Sequence, residues 1–362
     1  MARPSDTNLD KSNQNTAQSR ADDSVPGSAR QEIIEAAAKR KTKKDRKRIL
    51  VTGVNSLVGH SLFEQMRNDH LHIHSTKKPH KFSGSLIQGD KDTVPSPSTS
   101  IKTLDFKKKP KTFGRSVVKS DIMIVDLLSG SDLEEAEHLI QILKHPQQEA
   151  QNKKQVLILI SSVFTWACTN VDDKSQALTD DQYQKRVPLP RYQQMKQLEN
   201  MALTAAKFND NLRVHIVCSG LPYGNGEANN VFYEFFRRAW LSLHPDLASL
   251  PVIGDGDNYI PTIHVVDLAR FVSYLANDGS KVQKQYLVAV DQCQSSTQKE
   301  IISAISASLG SGATQHVQLA DVIEEDWSEM MTLNLRFQIS EELRNLDSEW
   351  HCSEGITTST MI

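Results

Sequence analysis

The chain has 362 residues, 38% of them apolar, a formal net charge of −2 and four cysteines. That is enough apolar material for one large domain or two small ones with a true core, while the near-neutral charge excludes a protein built throughout to neutralise phosphates, so nucleic acid is not an expected partner. Cys168, Cys218, Cys293 and Cys352 stand 50, 75 and 59 apart with no C-x-x-C pair, which points to neither a metal site nor a disulfide framework and fits a reducing compartment.

Residues 1–27 are rich in Ser, Asn, Asp and Gln and almost devoid of large apolar side chains. Ordering them would bury too little to offset the entropy lost, so disorder is predicted. Ser28 and Gln31 suit a capping box opening a helix through "RQEIIEAAAKRKTKK". It grades into a basic run over 39–48, with eight basic residues and one acid. The run reads either as a solvated helix and linker or as a nuclear-import or anion-binding patch. The first residues hold no apolar stretch of leader length, and no window approaches 18 apolar residues, so a cytosolic location and no membrane partner are expected.

Residues 47–62, "KRILVTGVNSLVGHSL", read as a buried strand, a glycine turn and the start of a helix. Thr52, Gly53, Ser56, Leu57, Val58 and Gly59 are the candidate nucleotide-binding residues. Gly53 and Gly59 are the outer pair of a G-x-x-G-x-x-G turn, where backbone amides and a helix dipole meet a pyrophosphate if the chain comes close. A Cβ blocks that approach, and the middle position carries one, at Ser56. The turn is not a kinase phosphate loop: the glycine spacing is one residue too long, and His60 stands where a lysine is needed.

The periodicity then predicts a strand at "LHIHST", a short one at "SLIQGD" and a long polar surface insert, "KDTVPSPSTSIKTLDFKKKPKTFGRS". A nicotinamide dinucleotide site usually places a carboxylate after the second strand; "HIHSTKKPHK" has none, and Lys77 with Lys78 would either favour a 2′-phosphate or be plain exposed lysines. "SDIMIVDLL" and "KQVLILISSV" read as fully buried strands. Between them lies an amphipathic helix with Leu133, Ala136, Leu139, Ile140 and Leu143 on one face. A helix over 191–208 and a strand at "NLRVHIVCSG" follow. Apolar strands alternating with helices predict an α/β fold, a doubly wound parallel sheet of Rossmann-like type with a smaller C-terminal lobe. The expected divisions are a disordered, basic extension at 1–47, a nucleotide-binding domain at 48–219, a small substrate-type lobe at 220–345 interleaved with the sheet and an irregular tail at 346–362.

Several blocks, in order, resemble the extended short-chain dehydrogenase/reductase family, which includes nucleotide-sugar epimerases and dehydratases. "VTGVNSLVG" resembles its cofactor turn, "ISSVFTWA" its catalytic Ser or Thr segment, "YQQMK" its Tyr-x-x-x-Lys, and "LPYGNG" its substrate loop. The resemblance implies an NAD(P) cofactor and three catalytic residues. Tyr192 would donate or accept the proton. Lys196, one helical turn on, would lower the phenol pKa and hold the nicotinamide ribose, and Ser162 would bond the reacting oxygen. The trio is chemically sensible, since a phenol titrating near ~10 needs an adjacent cation to act near neutral pH.

This sequence also departs from the family pattern. Ser56 replaces the middle glycine, the acid after the second strand is missing, "VDLLSG" replaces a small-residue pair, and the family's Arg and Asn before the substrate loop fall on Cys218 and Leu221. Each loss removes a cofactor or substrate contact. They imply a scaffold that kept its fold while its site decayed, a pseudoenzyme retaining weak NAD(P) or adenine-nucleotide binding; an active oxidoreductase or epimerase is the alternative.

Blocks such as "LISSVFTWAC", "NNVFYEFFRRAWLS" and "LPVIGDGDNYIPTIHVVDLA" further resemble the dehydrogenase-like region that precedes the kinase domain in one branch of the adenylate kinases. That resemblance implies protein partners in a cilium or flagellum and a truncated or kinase-less relative, with a fragment of an adenylate kinase whose kinase domain is absent here as a further alternative. His264 and Asp267 read as a helix cap by Asp267 or as a catalytic pair. Phe232, Phe235, Phe236 and Trp240 recur at helical spacing, as core or as a partner surface. Trp166 would floor a cleft or pack.

Overall fold

The computed structural model describes residues 46–73, 80–87, 101–130, 132–146, 152–170, 176–224, 231–241, 249–292, 296–346, 350–352 and 354–357. Arg46–Ile362 form one compact unit. The segments read as disordered and as a capped helix, nearly all of the basic run, and Lys77 with Lys78 lie outside the described residues.

The strands are β1 (Arg48–Val51), β2 (Lys81–Ser85), β3 (Ile101–Leu104), β4 (Ile122–Asp126), β5 (Gln155–Ser162), β6 (Leu212–Ser219), β7 (Leu221–Tyr223), β8 (Leu250–Ile253), β9 (Tyr259–Ile260), β10 (Thr262–His264), β11 (Tyr286–Ala289), β12 (Ser296–Thr297) and β13 (Thr314–Val317). The longer helices are α1 (Leu57–Ile73), α2 (Pro110–Lys119), α3 (Leu133–Lys144), α4 (Gln193–Phe208), α5 (Val231–Leu241), α6 (Val265–Asp278) and α7 (Gln298–Leu309).

Seven parallel strands form the central sheet in the order β3-β2-β1-β4-β5-β6-β11. It is the doubly wound sheet the sequence predicts. Every residue of β4 is buried, and so is all of β5 but Val156, because helices cover both faces. α1 packs on α6, whereas α2, α3 and α4 pack side by side in that order. Right-handed crossovers running outward in opposite directions from β1 and β4 place these two sets on opposite faces. Strand order reverses between β1 and β4, which opens a crevice at the carboxyl edge beside the turn that follows β1.

Two sequence expectations fail here. Leu71–Ile73, read as the start of a strand, continue α1, and the second strand is "KFSGS", reaching only the Ser85 of "SLIQGD". The strand is hard to read because its middle is small: a Cβ on Gly84 would lie 2.1 Å from Val54 Cγ2 and 2.8 Å from the Val51 carbonyl oxygen, so contact with the glycine turn sets its composition. The polar insert also contains β3 and α2. Pro110, read as an interruption, stands in the first turn of α2, where a missing amide proton costs nothing, and Phe113 and Val117 bury one face.

The smaller lobe combines short strand pairs, β7 with β10, β9 with β12 and β8 with β13, with α5 and α7. On α5, Phe232 and Phe235 are core, while Trp240 is 68% exposed. The spacing therefore describes a core face that ends before the last turn. Among the described residues of the tail, Cys352 and Ile356 are buried. No helix among the described residues is long and apolar enough to cross a membrane.

Candidate functional site

Thr52 and Gly53 leave β1 directly into the crevice. Gly53 has φ 62°, a conformation that glycine adopts without strain. Its carbonyl accepts the Ser56 amide at 2.9 Å, and a Cβ on Gly59 would lie 2.1 Å from that same carbonyl oxygen. Both outer glycines are thus required by close packing of the first turn of α1 on the bend. Register sets Val51 opposite Gly84 on one side and Ile124 on the other, so the bend stands at the seam of three strands.

Ser56 caps α1: its hydroxyl accepts the Gly59 amide at 2.8 Å and donates to Asp126 Oδ2 at 2.9 Å. Asp126, the last residue of β4, is fully buried. Its Oδ1 accepts the Leu128 amide at 2.9 Å, and its own amide donates to Thr52 Oγ1 at 3.0 Å. Burial pushes its carboxyl above the ordinary aspartate value, against the hydrogen bonds from Ser129, Leu128 and Ser56. On the other side of the bend the Gly53 amide donates to Ser85 Oγ at 3.4 Å, and Ser85 donates to Glu135 Oε1 at 2.6 Å. Burial raises Glu135 to about 7. Two carboxyl groups therefore flank the turn, each through a serine.

The backbone of this turn fits the pyrophosphate of an NAD(P) cofactor. The helix-opening amides of Leu57 and Val58 have no hydrogen-bond acceptor among the described residues, and they sit at the positive end of the α1 dipole. The side chains fit less well, since the Ser56 hydroxyl already takes the Gly59 amide and brings a carboxyl with it. Among the described residues no cluster of His, Cys, Asp or Glu could hold a metal ion.

Ser162 ends β5, and its hydroxyl accepts the Phe164 amide at 3.2 Å, capping a short 3-10 turn. Tyr192 stands just before α4, its ring stacked on Phe164 at 4.6 Å. Its hydroxyl accepts from Arg191 at 3.0 Å, and Arg191 pairs with Glu329 at 2.5 Å. Burial pushes the phenol above its ordinary value, opposed by the neighbouring Arg191. Lys196 follows one turn later, and its ammonium donates to the Arg186 carbonyl at 2.7 Å. Ser162 and Tyr192 thus share Phe164 as a neighbour, while Lys196 is bonded to the loop that precedes α4.

Sequence reading missed what holds that loop. Arg186 and Glu199, 2% and 0% exposed, form a buried ion pair at 2.5 Å. Glu199 also accepts from Ser161 Oγ. The guanidinium donates to the Tyr183 carbonyl and lies over the rings of Tyr183 and Tyr286. Burial raises the Glu199 carboxyl, with Arg186 opposing. An isolated Arg and an isolated Glu 13 residues apart carry no signal for this in the sequence. Trp166 packs: it is fully buried, and its indole donates to Tyr286 Oη at 2.9 Å.

The cap of α6 is His264, whose Nδ1 accepts the Val266 amide at 3.3 Å, in place of the expected Asp267. Asp267 instead accepts the His351 and Cys352 amides at 2.7 and 2.9 Å, pinning the tail. Cys352 in turn accepts from Tyr223 Oη, in the loop read as substrate-binding, at 3.0 Å.

No protein-family model matches the chain. Adenylate kinase 7 of Mus musculus is 31% identical over 211 residues, which is 56% of this chain and 33% of that protein. Its counterpart in Macaca fascicularis is 32% identical over 162 residues, 43% of this chain and 29% of that protein. The chain is homologous to part of adenylate kinase 7, and the match spans about a third or less of the length of these relatives. Among solved structures, dTDP-glucose 4,6-dehydratase from Bacillus anthracis, in complex with NAD, superposes with a TM-score of 0.63 at 14% identity, over 87% of this chain and 95% of that one. A human epimerase family protein solved with NADPH gives 0.57 at 18%, over 87% and 97%. These likenesses show the fold, a Rossmann-like parallel sheet.

Proposed function

We propose that the chain is a pseudoenzyme, a dehydrogenase-like scaffold that binds NAD(P) or an adenine nucleotide weakly at the Gly53–Gly59 turn and performs no hydride or proton transfer. The observation that carries this reading is the separate engagement of the would-be proton relay. Tyr192 is bonded by Arg191 and Lys196 by the Arg186 carbonyl, and the Tyr192 phenol is pushed away from neutral pH rather than toward it. The bend keeps the features that receive a nucleotide: Gly53, Gly59 and the amides of Leu57 and Val58.

Titrating the purified chain with NADH or NADPH, and following energy transfer from tryptophan, tests the reading. Binding with a Kd of about 0.1 mM or weaker is expected, and Lys196→Ala should leave it within roughly twofold. No binding of NADH, NADPH or ADP at about 10 mM would end the nucleotide-binding reading. The alternative, an active NAD(P)-dependent oxidoreductase or epimerase using Ser162, Tyr192 and Lys196, is favoured by the contact of Ser162 and Tyr192 with the same residue, Phe164. It requires Lys196→Ala to lose cofactor binding and Tyr192→Phe to abolish turnover of a nucleotide sugar.

We also propose a place in a cytosolic or ciliary protein assembly, on the resemblance of the sequence blocks alone, which localisation of the tagged chain in ciliated cells would test. Phosphotransfer is not assigned to this sequence, which contains no G-x-x-x-x-G-K. A transcript running past Ile362 into such a loop would add that activity.

A further inference from the structure

A turn built around three glycines offers a diphosphate nothing but backbone. This one carries a clasp across the crevice: the Gly59 amide donates to Ser56 Oγ, and Ser56 Oγ donates to Asp126 Oδ2. The carboxyl is one hydroxyl away from an amide that would otherwise face the ligand. It is fully buried, and its partners are hydroxyl and amide groups of Ser56, Leu128 and Ser129, none of them a cation. Thr52, which follows β1, accepts the Asp126 amide, so the end of β4 is tied to the glycine turn at two points.

We infer that Asp126, held through Ser56, is the specificity-determining residue of the nucleotide seat, disfavouring ligands that carry a diphosphate and leaving an uncharged nucleoside unpenalised. This rests on the nucleotide-binding reading and explains why that binding is weak. Two effects add. The hydroxyl occupies the position of closest approach and consumes the Gly59 amide, and the carboxyl behind it takes the Ser56 proton, so that oxygen lone pairs and not a donor face the diphosphate.

Calorimetric titration of the full chain with NADH, ADP and adenosine separates the possibilities. The variants are Asp126→Asn, which keeps the shape and an oxygen acceptor for Ser56, and Ser56→Gly, which restores the middle glycine. Asp126→Asn should tighten NADH and ADP about tenfold or more while adenosine stays within roughly twofold, and Ser56→Gly should tighten NADH at least ~5-fold. The inference is overturned if the wild type binds NADH measurably and a folded Asp126→Asn chain binds it no better, or if adenosine gains as much as ADP. If Asp126→Asn does not fold, Ser56→Gly decides alone, and unchanged NADH affinity there overturns the inference. Absence of binding by the wild type and both variants to all three ligands removes the nucleotide-binding reading and this inference together, an outcome distinct from the others.

Discussion

Replacing Arg186 with Met should destabilise the folded chain by about 3–5 kcal/mol. Both partners of the Arg186–Glu199 pair are out of water, so the substitution leaves a carboxylate inside the protein with only hydroxyl donors, among them Ser161. It also removes the donor to the Tyr183 carbonyl and the cation over two stacked rings. With a urea m-value near ~3 kcal/mol/M, as suits a body of this size, the unfolding midpoint should fall by roughly 1 M or more. The double variant Arg186→Met/Glu199→Leu removes both charges and should return to within ~2 kcal/mol of the wild type, because an ion pair replaced by apolar side chains is often neutral. Urea unfolding followed by tryptophan fluorescence reads both. A midpoint for Arg186→Met within about 0.2 M of the wild type would refute the claim that this pair braces the loop holding Lys196.

Gly59→Ala places a methyl 2.1 Å from the Gly53 carbonyl oxygen; backbone must move, so a loss of ~3 kcal/mol and a visibly lower melting temperature are expected, and an unchanged melt would contradict the tight packing of α1 on the bend. Glu135 is raised from 4.5 to about 7 in the fold, so the native state holds the extra proton between those values. Its contribution is present below pH 4.5 and is lost as pH rises through about 7. Glu135→Gln should flatten that segment of the stability profile, and an unaltered slope in pH-resolved urea melts would count against it. His215, lowered from 6.5 to about 4 by burial, acts with the opposite sign, giving stability above pH 6.5 that is lost as pH falls toward 4; the two overlap, so each needs its own variant. Asp267→Ala frees the His351 and Cys352 amides, and maleimide labelling of Cys352, read by peptide mass spectrometry, should accelerate at least ~10-fold through local opening; equal rates would mean that other contacts hold the tail.

The main strands were legible because burial on both faces demands uninterrupted apolar side chains. "DIMIVDLL" and "QVLILISS" can be little else, and the amphipathic face of α3 follows from its 3.6-residue period. β2 was not legible, since its composition answers to the nearness of Val54 and Val51 at Gly84 rather than to burial of large side chains. β3 and α2 were concealed by lysines, which mark a solvated edge as readily as a loop. The site was half legible. Gly53 and Gly59 announce a tight bend by themselves, but what Ser56 bonds depends on a residue 70 positions later in the chain.

The sequence by itself therefore determined the layering, the strand-and-helix alternation and the place of the tight glycine bend, because these depend on hydrophobic period and on where a Cβ is forbidden. Tertiary structure alone decided the partners: Asp126 for Ser56, Arg186 for Glu199, Arg191 for Tyr192 and the tail for Asp267. A hydrogen bond or ion pair is a short-range match between two groups, and single polar residues give no sign along the chain of which distant partner the fold will bring within 3 Å.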